Sequence, residues 1–215
     1  MCGRYSVLTE GEIVEIREAI QSASLQIAKD DFTGDYVKRG DEVRPTDHAP
    51  VIIWQGQGVV SFQDLRWGMK VWDGQAKPII NARVETLETT KTFAPLLTAG
   101  RCVVPTGHFF EWKKTGGKSV KHMITDREGN LLFMAGLYRE TGQGREFAII
   151  TKDAQGDISE IHDRMPVILR ADQIEDWLSG KLSPDDISKQ YFNAAIVPCE
   201  GELNQLSLED MTDTD

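Results

Sequence analysis

The chain has 215 residues and a formal net charge of −10, with 40% hydrophobic and 27% charged residues. That balance is ordinary for a globular protein able to bury a sizeable core, and the length favours one domain over two. The negative charge speaks against a coat for duplex DNA, whose affinity comes largely from phosphate neutralisation. A confined basic groove stays open, because much of the acidity is local, in Glu200, Glu202, Glu209, Asp210, Asp213 and Asp215.

There is no apolar run long enough to predict a membrane span, and the first residues lack the charged-then-apolar pattern of a signal peptide. Cys2, Cys102 and Cys199 have no paired spacing, which argues against a disulfide framework and against a zinc site. A reducing, intracellular setting is expected.

In chain order, Cys2 comes first, directly behind Met1. If Met1 is removed, Cys2 carries an α-amine and a thiol on adjacent carbons. The amine can condense with an aldehyde to an imine, and the thiol can then close a five-membered thiazolidine. A free α-amine has a pKa near 7.7–8.0, so a usable fraction is unprotonated at neutral pH. The alternative is a small buried residue that happens to stand second.

Thr9 and Glu12 have capping-box spacing, and Ile13, Ile16 and Ile20 share one face, predicting a helix over Thr9–Gln21. The polar segment Asp30–Asp47, broken by Gly34, Gly40 and Pro45, reads as a loop. Val51–Trp54 and Val59–Phe62 around Gln55–Gly58 read as a hairpin. Strands are expected at Ile79–Ala82, Cys102–Val104, His108–Lys113, Ser119–Thr125, Leu131–Leu137 and Phe147–Thr151. Ala171–Leu178 reads as a helix stopped at Gly180, and Ser183-Pro184 as the start of a second short one. A last strand is expected at Tyr191–Val197, followed by an acidic tail. Runs of strands with short helices predict an α+β fold with a largely antiparallel, barrel-like sheet.

Four segments carry more functional groups than their context needs. The first is Cys2-Gly3-Arg4. The second is Asn81-Ala82-Arg83-Val84-Glu85-Thr86, where Asn81 and Arg83 would share a strand face unless Asn81 caps a following helix. The third is Phe109-Phe110-Glu111-Trp112: desolvation by the aromatic neighbours would raise the Glu111 pKa and suit it to general acid/base work, unless it lies on the polar face of an edge strand. The fourth is Ile161–Pro166, where His162 can move protons near neutrality or be a local structural residue. His48, His108 and His122 have no ligand spacing, so no metal is assigned.

These segments, with Trp67-Gly68-Met69 and Arg101-Cys102-Val103-Val104-Pro105, make the chain closely resemble the SOS response-associated peptidase (SRAP) family, also described as abasic-site processing proteins. The resemblance covers nearly the whole chain in family order. It implies a single α+β domain over residues 1–199, with a barrel-like sheet flanked by short helices, and an acidic tail over 200–215. It implies a groove for single-stranded DNA, autocatalytic removal of Met1, and a covalent thiazolidine crosslink between Cys2 and an abasic-site aldehyde. Under that resemblance Asn81 would hold the sugar, Glu111 would serve as general acid/base, and His162 would assist proton transfer to the sugar oxygen. Arg4, Arg83 and Arg164 would hold phosphates, and Trp67 would stack on or wedge beside bases. No cofactor, no metal and no membrane partner are implied. The family-based expectation is a cytoplasmic monomer, nucleoid-associated when bound to DNA.

The chain departs from the family pattern at Val43-Arg44-Pro45-Thr46, at Met69-Lys70-Val71-Trp72 and at His108, which stands where glycine is expected. Two other functions compete. One is a thiol peptidase using Cys2, with His162 and Glu111, on protein substrates. The other is a non-catalytic binding module.

Overall fold

The computed structural model describes residues 2–30, 42–70 and 77–203, with the backbone alone at 29, 30 and 200–203. Its centre is a ring of strands: β4 (His48–Gly56), β5 (Val59–Trp67), β7 (Arg101–Thr106), β10 (Leu132–Thr141) and β11 (Gly144–Asp153). Antiparallel pairing runs β5-β4-β7-β10-β11, and β11 returns to β5 in parallel through Glu146↔Arg66 and Phe147↔Trp67. The fold is thus mixed α/β with mostly antiparallel pairing and a ring-like sheet, as the sequence predicts.

The β4–β5 hairpin turns at Gln57 and Gly58, both at positive φ (52° and 73°), the geometry of a tight turn that matches strand twist. β6 (Asn81–Arg83) lies parallel to β11, with Asn81 opposite Ile149 and Arg83 opposite Thr151. The short strands β2 (Gln26–Asp30), β12 (Arg164–Pro166) and β13 (Ile168–Leu169) extend the same sheet.

A second sheet has the order β14-β9-β8-β1-β3, from β1 (Arg4–Ser6), β3 (Glu42–Val43), β8 (Phe109–Thr115), β9 (Lys118–Asp126) and β14 (Ala194–Leu203). Two apolar cores result, and strand alternation sorts residues between them. Val51, Ile53, Cys102, Val104, Phe147 and Ile149 pack with Tyr5, Phe109 and Ile124 of the second sheet. Their neighbours Ile52, Val103, Ala148 and Ile150 pack on the other face with helical residues. Strands covered on both faces read as continuous apolar runs, which is why the sequence gives no clean alternation there.

The helices lie on that outer face. α1 (Glu10–Ser22) starts as predicted: Thr9 Oγ1 accepts from the Glu12 amide (3.2 Å) while the Glu12 carboxylate accepts from the Thr9 amide (2.7 Å). Ile13, Ile16 and Ile20 are buried. α2 (Leu96–Ala99) precedes β7, and the second predicted helix resolves into a 3₁₀ turn at Ala171–Gln173 and α3 (Ile174–Leu178). Gly180 follows it at φ 87°. α4 (Pro184–Ser188) is capped by Ser183. No helix among the described residues is long and apolar enough to cross a membrane.

The differences are local. β2 pairs in parallel with β5 and β3 pairs with β1, within or beside the predicted loop, whose residues 31–41 lie outside the described residues. The strand predicted at Ile79–Ala82 is displaced to Asn81–Arg83, with Ile79 making a lone bridge to Met69. The domain boundary expected at residue 199 falls inside β14, which continues to Leu203. Met1, Val71, Trp72 and the tail from 204 lie outside the described residues.

Candidate functional site

β1 is only three residues long, and it carries the N-terminus into the core between the two sheets. Arg4 pairs with Phe110 and Tyr5 with Phe109, so Cys2 is delivered beside β8. Cys2 is fully buried, with its Sγ 3.8 Å from the Arg4 carbonyl oxygen. Burial, and next the nearby Glu111 carboxylate, push its thiol pKa far above the usual range. The thiol is therefore protonated at neutral pH.

Asn81 reaches the same place from the ring. Its Nδ2 donates to the Cys2 carbonyl at 2.9 Å. The helical turn that follows, Val84–Thr86, is preceded by Arg83 with no side-chain cap, so Asn81 is not a helix cap. Its Oδ1 is buried with no hydrogen-bond partner among the described residues. An acceptor left so costs about 1–3 kcal/mol, which makes it available to a donor that enters the site.

Glu111 lies on β8, an interior strand between β1 and β9, and is only 2% exposed. The edge-strand alternative is thereby excluded. Burial raises its carboxyl to about 7, against the opposing charge of the chain's N-terminus. The expected shift is present and desolvation is its largest cause. Phe110 and Trp112 alternate to the other face of the strand. There Phe110 meets His108 edge-on at 4.9 Å, and Arg4 lies 5.2 Å over Trp112. On the face of Glu111, Phe109 packs into the core between the sheets.

His162 sits in the turn before β12. The Arg164 amide donates to its Nδ1 at 3.0 Å, and an Asp163 oxygen lies 2.7 Å from the same atom. Nδ1 can serve only one of these: it accepts from the amide when it carries no proton and donates to the carboxylate when it carries one. Burial, then the positive N-terminus, lower the His162 pKa. The neutral ring is therefore favoured, and the bond from the Arg164 amide to Nδ1 fits the tautomer with its proton on Nε2. Cys2, Asn81 and Glu111 thus form one cluster, and the charge of the N-terminus acts on Glu111 and on His162 alike.

The expected DNA-contacting residues divide. Arg83 is exposed on the face it shares with Asn81 and makes no ion pair with a described residue. Arg4 is partly exposed and donates to Glu42 at 3.2 Å; Glu42 also receives Lys121. Arg164 does not fit the expected phosphate role. Its side chain is 7% exposed and forks onto both Glu85 oxygens at 2.9 Å, onto Asp153 at 2.5 Å and onto the Thr151 carbonyl at 2.8 Å. Those bonds tie β12 to β11 and to the Val84–Thr86 turn.

Trp67 does not fit a stacking role either. It has no exposed surface, donates from Nε1 to the Ile80 carbonyl at 3.0 Å, and packs between Tyr5 (5.0 Å) and Phe147 (6.4 Å). Its place in the core depends on β11, a strand about eighty residues away, which residue type alone does not reveal. Glu85 and Asp153 went unassigned by sequence for the same reason, since their partner Arg164 is brought in by the fold.

A ring-like mixed sheet thus brings together a buried second-position cysteine, an asparagine on its carbonyl and a carboxyl poised near neutrality. Residues 1–206 match the family model described as SOS response associated peptidase (SRAP), and the chain belongs to that family. The abasic site processing protein YoqW of Bacillus subtilis is 31% identical over 215 residues, covering 94% of this chain and 89% of that protein. The abasic site processing protein YedK of Escherichia coli is 32% identical over 127 residues, 57% of each chain. Among solved structures, a protein from Bacteroides thetaiotaomicron superposes with a TM-score of 0.71 at 23% identity, covering 92% of this chain and 91% of the other. That likeness concerns the fold.

Proposed function

We propose that this chain processes abasic sites in single-stranded DNA by covalent capture through Cys2. Removal of Met1, which the family resemblance implies is autocatalytic, frees the Cys2 amine. The amine attacks the open-chain aldehyde of the abasic sugar, and loss of water gives an imine. The thiol sulfur then adds to the imine carbon while its proton passes to the nitrogen, closing a thiazolidine. Capping the aldehyde suppresses β-elimination and strand cleavage. Glu111 relays the protons, Asn81 holds Cys2 and offers Oδ1 to the sugar, and His162 serves the sugar oxygen from Nε2. Arg4 and Arg83 hold flanking phosphates.

The observation that carries this reading is the cluster of Cys2, Asn81 and Glu111, with the carboxyl raised to about 7. The rival peptidase reading needs a thiolate nucleophile, and burial disfavours that form of Cys2. In the capture reaction the amine attacks first, and the thiol can enter protonated.

The test is a denaturing gel of the protein with single-stranded DNA carrying one abasic site. A heat-stable shifted band is expected with the wild type and absent with Cys2→Ala. A band that persists in Cys2→Ala refutes the mechanism. Cleavage of an unrelated peptide without any band would favour the peptidase.

A further inference from the structure

The N-terminal strand is too short to fix its own register. β1 shares two paired positions with β8 and two with β3, and a slip of one residue would turn every side chain to the opposite face. Something else must hold Cys2 against Asn81 and beside Glu111.

At the end of β1 lies a closed hydroxyl network. Ser6 Oγ is 2.8 Å from Thr106 Oγ1, and both residues are buried. Ser6 Oγ also accepts from the Gly107 amide at 3.2 Å and from the His108 amide at 3.1 Å. Two accepted bonds leave the Ser6 hydroxyl proton to be donated to Thr106. The Thr106 proton then has the Ser6 carbonyl (3.1 Å) and the His108 carbonyl (3.0 Å) as acceptors. The Ser6 amide donates to that His108 carbonyl at 2.9 Å. One residue of β1 is thereby bonded to three consecutive residues, 106–108, that lead into β8. Gly107 is packed so closely that a Cβ there would come 2.0 Å from Glu12 Oε1, at the first turn of α1.

We infer that Ser6 and Thr106 are positioning residues, whose hydroxyl pair sets the register of β1 on β8 and so holds Cys2 at Asn81 and Glu111. The link to crosslinking rests on the function proposed above; the hold on Cys2 does not. The pair lies four residues from Cys2 and five from Glu111, so it indexes both strands at one point. A register error there would carry the Cys2 amine and thiol away from the carboxyl that serves them.

The experiment uses the full chain as wild type, Ser6→Ala, Thr106→Val and the conservative Thr106→Ser. The first measurement is the rate of Cys2 alkylation by iodoacetamide, read by mass spectrometry against Cys102, which is equally buried on another strand. Cys2 should react about tenfold faster in Ser6→Ala and Thr106→Val, the order of effect of losing a hydrogen bond. Cys102 should stay protected, and Thr106→Ser should behave as wild type. The second is the crosslinking rate at saturating abasic DNA, expected to fall about tenfold in the same two variants with DNA affinity unchanged. Unchanged Cys2 alkylation, or equal acceleration of Cys2 and Cys102, overturns the inference. If the wild type forms no crosslink but Cys2 alone is exposed by the variants, the positioning role stands and the DNA reading falls.

Discussion

Glu111, with its carboxyl raised to about 7 by burial, is present as both acid and base near neutrality, the condition that serves proton relay best. The raised value also has a consequence for stability. The folded protein holds this proton more tightly than the unfolded chain, whose carboxyl titrates near 4.5. The contribution is therefore complete below about pH 4.5 and is lost as pH rises through 7. Moving from 4.5 to about 7 corresponds to at most about 3 kcal/mol above the upper value. Glu111→Gln removes the titration while keeping a neutral polar group. Its Tm should match the wild type near pH 4.5 and exceed it near pH 8, as read by thermal denaturation across pH. An equal Tm at both ends would place the carboxyl in water. The same variant should crosslink about a hundredfold more slowly and lose any rate inflection near pH 7.

Among the elements, those with a strong local cause were legible in the sequence and those set by distant partners were not. α1 was readable because its capping box and Ile13, Ile16 and Ile20 lie within one short segment. The β4–β5 hairpin was readable from its glycine-bounded turn. β1, β2 and β3 are two to five residues long, too short for any period to register, and their pairing is long-range. The site divides the same way: Cys2, Asn81 and Glu111 stood out through residue type, whereas the engagement of Arg164 and the burial of Trp67 arise only when β11 closes the ring. Trp67 gives this a measurable form. As a core side chain between Tyr5 and Phe147, its replacement by alanine should cost about 3–5 kcal/mol. Thermal denaturation of Trp67→Ala should show that loss, while DNA affinity of the fraction still folded stays near wild type. A selective loss of affinity at unchanged Tm would restore the stacking role.

At the scale of the whole molecule, the charge of −10 must be reconciled with the polyanionic partner proposed above. The net charge supplies no overall long-range attraction, so the proposed groove depends on few local contacts. Arg164 is spent on Glu85 and Asp153, and Arg4 shares Glu42, which leaves Arg83 as the exposed cation of this set without an acidic partner among the described residues. For single strands each neutralised phosphate contributes about −0.7 to the slope of log K against log salt. Arg4 and Arg83 together therefore predict a slope of about −1.4, shallow beside that of proteins making many phosphate contacts. Arg83→Gln should reduce its magnitude by about 0.7. Fluorescence anisotropy with Cys2→Ala, in which the proposed capture is blocked, measures this across a salt series. A steep wild-type slope, or one unmoved by Arg83→Gln, would mean that the strand is held by cations outside this site. A shallow slope would instead leave recognition to the shape of the pocket around Cys2 and to the bond proposed to form there.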